Sequence, residues 1–185
     1  MMKKLITSMC LALLVLGCSS DDGNAPLDPP DDTPITQHDE NSDGDLSDAF
    51  NNPEGPFTLE VGSNIVIADQ QGDPRDVDYF TIVVPNGSSL TELNLSGFNA
   101  ASGNLAFLGM VNGAAFSTDE NSTGSGDLLG GIVYGASQLN SNMLPAIGSL
   151  DGAQGFSGAL PAGTYSFWLN QTGPNSGAEL EFVVE

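Results

Sequence analysis

Lysine stops at Lys4. Beyond it the chain carries one basic side chain, Arg75, against 24 aspartates and glutamates, and the formal net charge over 185 residues is −21. A surface this acidic repels phosphate backbones and anionic headgroups, which excludes nucleic acid as a partner. Without lysine there is no Schiff-base or phosphate-gripping chemistry. Histidine is scarcer still: His38 stands alone, in a stretch that reads as a tether. No Ser-His or Cys-His pair and no zinc ligand set can be assembled from the remaining sequence, so catalysis is not expected. Two carboxylates across a cleft would suffice for glycoside hydrolysis, but nothing in their spacing places such a pair.

Long apolar runs are missing too. The one candidate, Leu5 to Leu16, falls short of the roughly 20 apolar residues that cross a bilayer. It follows a basic start, Lys3-Lys4, and ends in Leu14-Val15-Leu16-Gly17-Cys18, with a small residue just before a cysteine. This pattern suits a signal peptide over residues 1–17 and resembles the lipobox of bacterial lipoproteins, in which Cys18 becomes the acylated first residue. Two or more acyl chains on one cysteine give a stable anchor, each buried methylene contributing about 0.8 kcal/mol. The expected location is therefore the cell envelope, lipid-anchored at the outer membrane. The only other cysteine, Cys10, leaves with the signal, so the mature chain can close no internal disulfide. Residues 18–38, with Pro26, Pro29, Pro30 and Pro34 among Asp, Gly and Ser, read as a disordered acidic linker.

From residue 39 to 185 the pattern is that of one all-β domain. Phe57 to Val61 alternates, Asn64 to Ile67 is apolar, and Asp78 to Val84 runs into the turn Pro85-Asn86-Gly87 before Leu90 to Leu95. Leu105 to Val111 is another apolar run. Thr164 to Gln171 sets Tyr165, Phe167 and Leu169 on one face, and Ala178 to Glu185 turns Leu180, Phe182 and Val184 inward and Glu179 and Glu181 outward. Short strands separated by Gly and Asn turns indicate an antiparallel β-sandwich of jelly-roll type. Between Leu128 and Leu150 the pattern is ambiguous, with glycines opposing a helix and Ser137 to Ile147 allowing one or two helical turns.

Asp39-Glu40-Asn41-Ser42-Asp43 before Leu46-Ser47-Asp48-Ala49, then Asp76-Val77-Asp78-Tyr79-Phe80, then Val84 to Leu90, and finally Leu160-Pro161-Ala162-Gly163-Thr164-Tyr165 resemble the bacterial pre-peptidase C-terminal domain family. The stretch from Gly97 to Gly158 departs from that pattern. The resemblance implies a compact β-sandwich that accompanies secreted enzymes, with calcium or polymeric substrates bound by some members and no catalysis of its own.

Asp39, Asn41 and Asp43 before Gly44 place oxygen ligands at alternate positions, as in calcium loops of the D-x-N-x-D-G kind. A complete EF-hand is excluded, because the twelfth position is Phe50 where the bidentate glutamate should stand. The family resemblance offers Asp76 and Asp78 as the missing ligands; spaced i and i+2 at the start of a strand, they would point the same way and repel without a cation. Trp168, between Ser166 and Asn170 on the polar face of its strand, is a candidate ligand platform, against burial beneath the long central segment. Two functions follow as expectations. One is a membrane-tethered binding or accessory module for polysaccharide or protein, stabilised by calcium. The alternative is a structural envelope lipoprotein with no small ligand.

Overall fold

The computed structural model describes residues 33–71, 76–173 and 175–185. The signal, the lipobox with Cys18 and most of the linker lie outside the described residues, as does Arg75. Eight strands are formed among those described: β1 (Ile35–Asp39), β2 (Glu54–Thr58), β3 (Gly62–Gln71), β4 (Val77–Ala100), β5 (Ala106–Asn112), β6 (Gly130–Tyr134), β7 (Leu160–Gln171) and β8 (Asn175–Val184). Two short helices, α1 (Glu40–Asp43) and α2 (Leu144–Ile147), complete the set with two 3-10 turns. The ambiguous stretch thus resolves into β6, a turn of 3-10 helix at Ala136–Gln138, and α2.

One strand makes the sandwich. β4 pairs with β7 through Val77–Val84 and, after a register shift, through Ser89–Leu90, and from Leu90 to Ala100 it pairs with β8. The turn expected at Pro85-Asn86-Gly87 is instead a bend within continuous extended chain, with Gly87 at φ +88°, a conformation that a residue with a Cβ adopts at a cost. The bend carries β4 from one layer to the other. The first layer reads β2-β4-β7-β5-β6 and the second β1-β3-β8-β4, joined in one path through β4. Phe80 stacks on Phe167 within the first layer at 5.1 Å between ring centroids, and Phe182 of the second meets both edge-on at 6.2 and 5.4 Å.

The alternation of β7 and β8 is as expected: Tyr165, Phe167, Leu169, Leu180, Phe182 and Val184 are all in the central core. The sheet is not wholly antiparallel, however, since β1 runs parallel to β3 and β2 parallel to β4. The domain also begins earlier than residue 39. Ile35–Asp39 is an edge strand, and His38, assigned to the tether on composition, is buried, with its ring 5.5 Å from Phe57 and its Nε2 2.9 Å from the Gly44 carbonyl. The prolines and aspartates upstream gave the stretch a linker's composition, but pairing with β3 supplies what its own sequence does not.

A second, smaller core lies on the outer face of the first layer. Val77, Tyr79 and Trp168 point away from the central core and are covered by Phe116 and Leu128 from the long segment that joins β5 to β6. Both faces of β4 and β7 are therefore buried, which is why residues 77–82 and 165–169 are buried without interruption.

Candidate metal centre

Strand alternation sends Phe80 and Ile82 into the central core, and Asp78 lies on that same face. Asp78 has no exposed surface, and neither carboxylate oxygen has a hydrogen-bond partner among the described groups. The Gln70 amide nitrogen, also buried, is likewise unpartnered. Burial first, then the negative charges of Glu40, Asp76 and Asp45, push the Asp78 carboxyl up to about 9; the Gln70 side chain, near Asp78 but outside hydrogen-bond geometry, opposes them weakly. A buried ionised carboxylate with no partner is strongly disfavoured, so this group requires either a proton or a cation.

Around Asp78 the preceding elements gather further carboxylates. Ligand oxygens of Glu40, Asp45 and Asp78 lie within 4.8 Å of one another, and so do those of Asp45, Asp48 and Asp76. Asp45 belongs to both groups. Glu40 is fixed by backbone: it accepts from the Leu46 N–H at 2.7 Å and from the Asp69 N–H on β3. Burial raises its carboxyl and that of Asp45, with neighbouring acidic charge adding to both. Above them a cleft of about 230 Å³ is lined by Glu40, Asn41, Asp45, Asp69, Gln71 and Asp76. Six oxygen-bearing residues at the cleft, four of them carboxylates, and a buried carboxylate beside Glu40 and Asp45 suit a hard cation with irregular oxygen coordination, calcium above all.

The structure brings Asp76, Asp78 and Asn41 to this place and leaves Asp39 and Asp43 out. Asp39 is the N-cap of α1, its Oδ1 accepting from the Asn41 backbone N–H at 2.9 Å and from the Asn41 side chain at 2.9 Å. Asp43 closes the turn by accepting from the Asp39 N–H at 2.9 Å and from the Ser42 hydroxyl, and the first of these bonds holds its carboxyl below the ordinary range. Alternate spacing holds for an extended loop, but this stretch coils into a helical turn, so Glu40 and Asp45 reach the sheet instead of Asp39 and Asp43. The signal for that was present: an aspartate before a short polar run is a helix N-cap, which commits its carboxylate to backbone N–H groups.

Trp168 is largely buried and does not stand free on its strand. It is 7% exposed, stacked near Tyr79 at 6.4 Å and met edge-on by Phe107 at 5.1 Å and Phe116 at 6.5 Å. Burial beneath the central segment prevails because the outer face of β7 has a core of its own.

Comparison with protein family models, with curated proteins and with solved structures finds no match to this chain.

Proposed function

We propose that the protein is an exported, lipid-anchored β-sandwich module that binds polysaccharide or protein, and that a calcium ion clamps its N-terminal segment to the sheet. The observation that carries the clamp is Asp78, buried without a partner where Glu40 and Asp45 converge on it. A cation there would link β4 to α1 and the residues that follow it, with Asp76, Asp48 and Asn41 available at the outer side. Such a site replaces the disulfide that the mature sequence lacks. His38 is engaged with Phe57 and the Gly44 carbonyl, a structural use that supports a non-catalytic module. The resemblance to pre-peptidase C-terminal domains is retained within this reading, since Asp76-Val77-Asp78 is among the motifs that suggested it.

Thermal melts of the mature protein test the clamp. Calcium at a hundredfold excess over its dissociation constant should stabilise the folded state by about 2.7 kcal/mol, because only that state assembles the ligands. Identical melting in calcium and in chelator would reject it. The anchor has its own test, in which Cys18→Ser should lose incorporation of a clickable fatty acid during growth. Label retained by the serine variant would reject acylation at that residue.

A further inference from the structure

Gly109 on β5 stands opposite Trp168 on β7, and Phe107 opposite Asn170. A Cβ at Gly109 would lie 3.0 Å from the Phe107 ring and 3.1 Å from the Trp168 ring, so the glycine leaves room for both aromatics to lie over the strand. These two rings line a pocket of about 660 Å³ together with Leu128 and Leu150, and with polar residues that include Thr123, Ser125, Asn170 and Gln171. The volume falls within the roughly 300–1,000 Å³ of small-molecule sites.

Two features restrict the occupant. Among the described residues no charged side chain lines the pocket, although the chain carries 24 carboxylates, which favours an uncharged ligand. Three lining residues hold buried polar atoms without a hydrogen-bond partner: the indole N–H of Trp168, Oδ1 of Asn170, and both amide atoms of Gln171. These atoms have no exposed surface, and the polar side chains that a guest reaches are the exposed Ser125 hydroxyl and the partly exposed Asn170 amide, which call for donors and acceptors alike. Hydroxyl groups can donate and accept, and satisfy both kinds. Aromatic rings meanwhile favour a flat apolar face.

We propose that this pocket binds a neutral sugar ring, the apolar face of a pyranose lying against Phe107 and Trp168 and its hydroxyls meeting Asn170 and Ser125. The proposal deepens the reading of the protein as a binding module and is independent of the cation.

Trp168 is the sole tryptophan in the chain, so its emission reports on the pocket directly. The mature protein is titrated with neutral hexasaccharides of glucose in several linkages, of mannose and of xylose, with oligogalacturonate as the charged control. A saturable change in Trp168 emission is expected with at least one neutral sugar and none with oligogalacturonate. By calorimetry, Asn170→Ala and the pocket-filling Ser125→Phe should each weaken that binding by about tenfold. Both positions are at least partly exposed, and unchanged melting of the variants shows that the fold survives. Silence of Trp168 with every neutral sugar overturns the proposal, as does equal binding by both variants or equal binding of oligogalacturonate. A polysaccharide pull-down with unchanged Trp168 emission places binding on another surface, which overturns the pocket and leaves the binding module standing. Failure of the pull-down as well, with polysaccharides and with envelope proteins, overturns both.

Discussion

On β8 the carboxylates alternate with core residues and reach the surface, where Glu179 accepts from the Ser96 hydroxyl at 2.8 Å and Glu181 from the Asn94 amide at 3.2 Å and the Ser63 hydroxyl. On β4 a carboxylate takes an inward position itself, and Asp78 finds no hydrogen-bond partner among the described residues. Both strands belong to the same path of sheet, and the same residue chemistry meets opposite surroundings one strand apart. On β8 the acidic groups serve solubility and register, since a slip of one residue would bury them. On β4 the acidic group is stable only with a proton or a cation, and the carboxylates of Glu40 and Asp45 beside it favour a cation.

The sharpest way to break the contrast is to remove what surrounds the outward glutamates. Phe182 is fully buried between Phe80 and Phe167, across the two layers. Phe182→Ala should cost about 3–5 kcal/mol in a urea melt, through lost transfer energy and a cavity. A silent Phe182→Ala would mean that β8 does not face the core as described.

Asp78→Asn comes next. In saturating calcium the variant should lose the stabilisation of about 2.7 kcal/mol that the clamp supplies. In chelator the same change should leave stability equal or higher at neutral pH, because a neutral amide is easier to bury than a carboxyl group under pressure to ionise. Asp151→Asn on an exposed loop should do neither. Loss of stability by Asp78→Asn in both conditions would mean that the acid is held by the fold and not by a metal.

A pH series extends this test. The unfolded Asp78 carboxyl loses its proton near the ordinary value of 3.8, whereas in the metal-free fold it keeps it to about 9. Between these values the folded state binds the extra proton, so stability is greatest below the lower value and falls as pH rises through the window. The slope approaches about 1.4 kcal/mol per pH unit for this one group. Glu40 and Asp45, also raised, act in the same direction. Asp78→Asn should flatten the profile, and so should calcium, which holds the group as a carboxylate. A flat profile in the metal-free wild type would contradict the buried acid.

What could be read without coordinates follows from the same contrast. β7 and β8 were legible because period-two alternation sends every second side chain to one core, and Tyr165, Phe167, Leu180 and Phe182 obey it. β1 was not, because an edge strand stabilised by pairing with β3 needs no apolar pattern of its own. The bend at Gly87 looked like a turn because Pro-Asn-Gly is turn chemistry, and only the pairing that resumes beyond it, Ser89 with Pro161 on β7 and then Leu90 onward with β8, shows that the strand continues. Of the candidate metal ligands, Asp76 and Asp78 were offered by the family resemblance, and they stand where β4 begins. Glu40, Asp45 and Asp48 depend on how a helical turn is laid against β3 and β4, a tertiary fact with no spacing rule. For Trp168 the sequence left platform and burial both open for a related reason: the polar neighbours Ser166 and Asn170 suggested solvent, whereas Ser166 is fully buried and bonds to Thr81 at 2.8 Å.

The smallest expected effect lies back on β8. Glu181 is partly exposed, and its bonds to Asn94 and Ser63 are made where water can replace them. Glu181→Gln keeps the shape and an acceptor oxygen, and it removes one negative charge from a chain that has far too many for its few cations. Surface polar pairs of this kind are worth about 0–1 kcal/mol, and relief of repulsion acts in the opposite sense. The variant should therefore melt within about 1 kcal/mol of the wild type in urea at low salt, with any gain shrinking as salt screens the charge. A loss comparable to that of Phe182→Ala would put Glu181 in the class of Asp78, an acid on which the fold depends, and the distinction between the two strands would fail.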